Sequence, residues 1–208
     1  MSIYGPVFNP NLLGKFPPIL PRRKVFISYF KGDKPWVDSL IAHYGQPSVG
    51  VFIPCAVGVT EEDDFVDSDD VDYIMQAIRD RYLEVTSVTI VIIGPCTHSR
   101  KFVDWEIKSS LTQPANGRPN GLLGLEIPPP RDWGGNPVWH HLPGRFLKNY
   151  IHNRQDISYA RYYVWPSSAS DLRRWIEEVY GLASQNAYLI ENPQDMIRKN
   201  LVPCQFSS

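Results

Sequence analysis

Glu106 is the residue whose type and surroundings best suit chemistry in this chain. It stands in TSVTIVIIGPCTHSRKFVDWEIKSSL, residues 86–111, where a short β-branched run, Val88 to Ile93, is broken by Gly94 and Pro95. A helical pattern begins near Ser99, with Val103, Ile107 and Leu111 four residues apart on an apolar face. Ser99, Phe102 and Glu106 fall at i, i+3 and i+7 and so share the neighbouring stripe. In an open α/β sheet the helix start after a strand lies at the carboxyl edge, where ligands bind. A carboxylate about two turns into such a helix is therefore a candidate, although most helical glutamates are solvated. Ser99 is the expected N-cap, a role compatible with ligand contact.

Competing chemistries find less support. Cys96 beside His98 could form a reactive thiol, but a small half-buried residue is the simpler reading. Ser99 lacks the G-x-S-x-G elbow of a hydrolase nucleophile. His140 and His141 are adjacent, so their side chains diverge on a regular element, and His43, His98 and His152 lack ligand-like spacing. No metal site is expected. Neither G-x-G-x-x-G nor G-x-x-x-x-G-K-[ST] occurs, which excludes the usual dinucleotide turn and the P-loop.

The elements that must position Glu106 alternate in type. Val25–Tyr29, Val49–Ile53, Val88–Ile93, Leu122–Ile127 and Arg161–Trp165 read as five short strands. Trp36, Leu40, Ile41 and Tyr44 mark a first helix, with Asp33 as N-cap and Pro35 in its first turn. Ile74, Ile78, Tyr82 and Val85 mark the inward face of a second over about 71–85. Ser168 and Asp171 form a capping box that opens the last helix, with Leu172, Trp175, Ile176, Val179 and Ala183 on one stripe. This alternation predicts a doubly wound, mostly parallel α/β sheet.

Between these elements lie segments without period. Residues 1–23 form a proline-rich arm, and 128–158 read as a long insertion or loop. The acidic run Glu61 to Asp72 is a solvated loop before a helix, because no start places Gly sixth and Glu twelfth as a calcium loop requires. Residues 191–208 are expected to form a tail, with a short helix from Asn192 before fraying.

Bulk properties set outer limits. The 208 residues are 43% hydrophobic, enough for a core, and 21 basic against 22 acidic residues leave a net charge of −1. That balance gives no general attraction to nucleic acid or an anionic membrane. Cys55, Cys96 and Cys204 are odd in number and form no C-x-x-C pair, which argues against a disulfide scaffold and for a reducing, cytoplasmic setting. No transmembrane or secretory segment is expected.

Several of these stretches resemble one family. Ser99-Arg-Lys-Phe102-Val103-Asp-Trp-Glu106 is similar to the Ser-x-x-Trp-Cys-x-x-Glu signature of TIR domains, with Phe for Trp and Val for Cys. Lys24-Val-Phe-Ile-Ser28-Tyr29-Phe30 resembles the first TIR strand. TSVTIVIIG, WEIKSS, GLLGLEI and ARYYVWP resemble the TIR-like proteins of bacterial Thoeris anti-phage systems. The resemblance implies a TIR-like domain over 24–190, a flavodoxin-like strand order and Glu106 as the catalytic contact to the nicotinamide-side ribose of NAD+. It implies that NAD+ is substrate rather than cofactor, and that Ser28, Tyr29 and Phe30 border the nicotinamide, with Ser99 and Phe102 as further binding residues. It further implies a cyclic or modified ADP-ribose signal that activates an effector, together with self-association. Against the family pattern, Ile53-Pro54-Cys55 stand where an acidic residue often follows the second strand. A non-catalytic TIR assembly module, or a flavodoxin-like domain for another nucleotide, remain the alternatives.

Overall fold

The computed structural model describes residues 21–57, 70–114, 117–128, 142–150, 157–193 and 195–201. Five strands alternate with five α-helices in chain order. They are β1 (Arg23–Ser28), α1 (Lys34–Leu40), β2 (Phe52–Val57), α2 (Val71–Ile78), β3 (Val88–Ile93), α3 (Lys101–Leu111), β4 (Gly121–Glu126), α4 (Gly144–Tyr150), β5 (Arg161–Val164) and α5 (Ala169–Gln185). The strands form one parallel sheet in the order β2-β1-β3-β4-β5, the flavodoxin-like order expected. All six residues of β3 are buried, as a central strand covered on both faces requires.

Strand periodicity of two sorts the core into layers. Val25 and Ile27 of β1 and Val88, Ile90 and Ile92 of β3 face one side, against Val37 and Leu40 of α1 and Leu172, Trp175, Ile176 and Val179 of α5. Val91 and Ile93 face the other, against Val103, Ile107 and Leu111 of α3 and Phe146 of α4. Phe26 joins Ile78, Leu83 and Trp105 on that second side. Ser168 caps α5 as expected, its Oγ accepting from the Asp171 backbone N–H at 3.1 Å, while the Asp171 carboxylate accepts from the Ser168 hydroxyl rather than closing the box on the Ser168 backbone N–H.

Glycine sets how closely helices approach β4. At Gly124 an added Cβ would lie 2.6 Å from the Phe146 ring, and at Gly121 it would strike the Val179 carbonyl of α5. The second obstacle is backbone, which cannot rotate away. Gly121→Ala is expected to lower unfolding free energy by about 1–3 kcal/mol or more, read as a lower urea midpoint.

Four expectations need correction. The second strand runs over Phe52–Val57 rather than Val49–Ile53. Pro54 and Cys55 lie inside it, and the register against β1 shifts between Val25 and Phe26. Proline is tolerated there because β2 is an edge strand with a bulge. The helix expected over 71–85 ends as α2 at Ile78 and continues as a wider turn, Arg79–Leu83. Leu83 turns inward and Val85 is 58% exposed, because the wider turn rotates the register of inward positions. Segment 128–158 is not all loop, since it carries α4. The arm over 1–20, the acidic run over 61–69 and the side chains of Ile74 and Tyr82 lie outside the described residues.

The fourth correction concerns the tail. Residues 191–193 and 195–201 form no helix but run as an irregular strap along α3, and 202–208, where fraying was expected, lie outside the described residues. Asn192 Nδ2 donates to the Lys108 carbonyl at 3.1 Å, Trp105 Nε1 to the Ile197 carbonyl at 2.9 Å, and the Leu201 N–H to the Ser99 carbonyl at 2.9 Å. With the sheet on one side and the strap on another, every residue of α3 from Val103 to Leu111 is buried, Asp104, Glu106 and Lys108 included.

Candidate functional site

Glu106 sits mid-way along α3, on the helix that follows the central strand. Val103, Ile107 and Leu111 press one face of α3 onto β3, and Phe102 on the adjoining stripe packs in the cluster around Phe26 of β1. Glu106 is 1% exposed, so its carboxylate is withdrawn from bulk solvent. Tyr29, just past β1, is 3% exposed. Burial pushes the Tyr29 phenol up to about 12, and the charges of Glu106 and Asp38 add to the rise. The phenol therefore stays neutral and remains a proton donor. Ser28, the last residue of β1, is fully buried, and its Oγ has no hydrogen-bond partner among the described residues.

Phe30 completes the loop after β1. Gly32 lies under its ring, where an added Cβ would come within 2.6 Å, and the Arg100 guanidinium covers it at 4.0 Å from the centroid. Ser28, Tyr29 and Phe30 thus follow one another out of β1, with Glu106 near enough for its charge to act on Tyr29. It sets Ser99 and Phe102 differently. Ser99 precedes the helix in a 3₁₀ turn over Thr97–Ser99, and its hydroxyl donates to the Cys96 carbonyl at 2.8 Å. It does not cap α3. The first helical N–H, that of Lys101, donates instead to Asn200 Oδ1 at 3.0 Å. Phe102 stacks edge-on against Trp105 with centroids 5.3 Å apart and packs in the cluster around Phe26.

Asp33 is the residue that the sequence reading misplaced most. Its backbone occupies the N-cap position of α1, but its side chain makes no cap hydrogen bond. The carboxylate reaches across to the turn after β3, where it fills the space that a side chain on Gly94 would need. Thr97 Oγ1 lies 3.3 Å from Asp33 Oδ2 and accepts from the Gly94 N–H at 2.9 Å. The clasp joins the loop carrying Phe30 to the loop leading into the Glu106 helix.

Burial raises the Asp33 carboxyl to about 6, while the Thr97 hydroxyl and the Arg100 charge pull it partly back. Folding thus strengthens proton binding at Asp33. The stability this contributes is complete below about pH 4 and is lost as pH rises through about 6. Asp33→Asn is expected to remove that slope and to raise stability at pH 7 by up to about 3 kcal/mol. Urea unfolding of both proteins at pH 5 and pH 7 checks it.

The model of one protein family, Thoeris protein ThsB, TIR-like domain, matches residues 26–132, just over half of the chain. The chain belongs to this family. It is thus a TIR-type module of the Thoeris anti-phage defence kind, on the doubly wound fold expected. None of the curated proteins matches it. The match spans Ser28, Tyr29, Phe30, Ser99, Phe102 and Glu106 and stops before α4, β5, α5 and the strap.

In this Thoeris TIR-like domain the departure read at Ile53-Pro54-Cys55 falls on the wrong residues. All three lie within β2, and the residues that follow that strand, from 58 on, lie outside the described residues. Cys96 is 3% exposed, the buried setting of a structural cysteine rather than of a reactive thiol. Cys55 is an exposed free thiol. Among the described residues no three His, Cys, Asp or Glu side chains are grouped to hold a metal. No described helix is long and apolar enough to cross a membrane.

Sequence reasoning also missed Arg145 and Asn200. Both come from stretches without period, and neither carries a spacing signal toward α3.

Proposed function

We propose that this Thoeris TIR-like domain cleaves the nicotinamide–ribose bond of NAD+ and passes on a cyclic or modified ADP-ribose as a diffusible signal to an effector. The observation that carries the reading is the Glu106 carboxylate, 1% exposed, on the helix after the central strand and close enough to Tyr29 for its charge to be felt there.

The chemistry needs one such group. The nicotinamide of NAD+ is a cationic pyridinium, so it departs as a neutral molecule and asks for no general acid. Positive charge develops on the ribose instead, as in glycoside cleavage. A fixed carboxylate shielded from water stabilises that charge more than solvent does. Glu106 would face the ribose, while Ser28 Oγ, the neutral Tyr29 phenol and the Phe30 ring would border the nicotinamide. Phe102 and the Ser99 turn would act at the helix start. With water held off, a hydroxyl or base nitrogen of the same ADP-ribose captures the cation and closes a ring. NAD+ is substrate here, and no separate cofactor is invoked.

The test is incubation of the protein with NAD+, alone and in extracts of phage-infected cells, with nicotinamide and ADP-ribose products read by mass spectrometry. Nicotinamide release by the wild type, and none by Glu106→Gln, supports the reading. Absence of release in every condition leaves a TIR module that works by assembly alone.

A further inference from the structure

The residues that hold α3 from outside lie beyond the family match, and one side chain ties several of them together. Arg145 of α4 is 5% exposed and uses its whole guanidinium. Nε and Nη2 donate to the two carboxylate oxygens of Asp104 on α3 at 2.9 and 3.2 Å. Nη1 donates to Asn192 Oδ1 and the Pro193 carbonyl, and Nη2 also to the Asp195 carbonyl, all within 2.9 Å. Asp104 Oδ2 in turn accepts from the Ile197 N–H at 3.0 Å. Further along, Asn200 caps the Lys101 N–H and Leu201 binds the Ser99 carbonyl.

The strap thus grips α3 at its start, at Asp104 and Trp105, and near its end through Asn192. Sheet packing by Val103, Ile107 and Leu111 fixes how far α3 stands from β3, but apolar contact is non-directional and leaves sliding and rotation weakly restrained. Directional bonds at both ends and the middle remove those freedoms. Glu106 lies between two of the gripped positions, Trp105 and Lys108.

We propose that the 191–201 strap, locked by Arg145 and Asn200, is the positioning element for Glu106, so that releasing it loosens the catalytic carboxylate without dissolving the sheet. Arg145 and Asn200 are positioning residues that act through α3. This inference rests on the NAD+-cleavage reading for its rate consequence but not for its structural one. A rotation of α3 that moves a carboxylate by about 1 Å is enough to cost roughly 10²-fold in rate.

The experiment uses the full chain with Asn200→Ala, Asn200→Asp and Arg145→Lys. Asn200→Ala deletes the cap without burying a charge, Asn200→Asp keeps an acceptor oxygen, and Arg145→Lys keeps the charge but loses the two-pronged geometry. Two readouts are taken. Amide hydrogen exchange over residues 101–104 is expected to be about fivefold faster in Asn200→Ala, with β3 amides unchanged and Asn200→Asp close to wild type. Arg145→Lys is expected to speed exchange along the middle of α3.

Nicotinamide release is expected to show kcat about tenfold lower in Asn200→Ala, KM for NAD+ within about twofold, and recovery in Asn200→Asp. Unchanged α3 exchange in both loosening variants overturns the proposal. So does faster exchange with kcat intact. If the wild type releases no nicotinamide under any condition, the NAD+ reading fails and the exchange arm alone decides whether the strap holds α3.

Discussion

Glu106→Gln is expected to cut nicotinamide release from NAD+ by about 10²–10³-fold while KM changes little. Gln keeps the shape and the hydrogen-bonding reach of the side chain but loses its negative charge. In ground-state NAD+ the positive charge is spread over the pyridinium ring and only partly within reach of the carboxylate, so binding loses less than the transition state does. In the transition state positive charge develops on the ribose, and the neutral amide no longer balances it. Because Glu106 is 1% exposed, water does not stand in for the missing charge. The same exchange removes a buried ionisable group, so the thermal midpoint should hold or rise. Activity within a few-fold of wild type would show that the carboxylate does not carry the chemistry. A loss matched by an equal fall in folded protein would show that it is structural.

Arg145→Met should be the most damaging single change outside the sheet, lowering unfolding free energy by about 3–5 kcal/mol. The side chains of Arg145 and Asp104 are only 3% and 6% exposed, and the substitution strands the Asp104 carboxylate with one backbone partner, Ile197. It also takes the Arg145 donor from the Asp195 carbonyl and leaves the Pro193 carbonyl with the longer bond from Lys108 Nζ at 3.3 Å. The double variant Arg145→Met/Asp104→Leu should recover much of the loss, since two apolar groups replace a buried pair with no charge left behind. Chemical denaturation of the wild type, both single variants and the double variant yields the coupling directly. Additive effects would mean that the pair contributes only through packing.

What could be read from the residues, and what could not, divides along a physical line. Val88–Ile93, Val103/Ile107/Leu111 and the α5 stripe all announce themselves through period, because one apolar face must meet the sheet. Strand order followed from family resemblance and holds in the structure. The place of Glu106 on the helix after β3 was legible because that helix was. Asp33 was misread because the best-placed N-cap by position was also close enough in space to bridge to the Gly94 turn, and a carboxylate can serve either role. Ser99 lost the N-cap for a related reason, since Asn200, 99 residues away from Lys101, takes the donor first. Arg145 and the strap gave no sign at all. Their bonds are made by main-chain carbonyls, which every residue carries, and by polar side chains without repeat. Pro54 misled the second strand's boundaries, as proline usually argues against a strand interior and is admitted only at an edge.

The distance in sequence between Lys101 and the asparagine that caps it has a consequence for biogenesis. A ribosome adding about 5–20 residues per second needs roughly 5–20 s to travel those 99 positions. During that interval the sheet as far as β4 can assemble while the helix bearing the acid group is still ungripped. A nascent chain stalled before residue 192 therefore presents the carboxyl edge of the sheet without its clamp, and on the NAD+ and positioning proposals together a translation fragment would be a poor consumer of the dinucleotide.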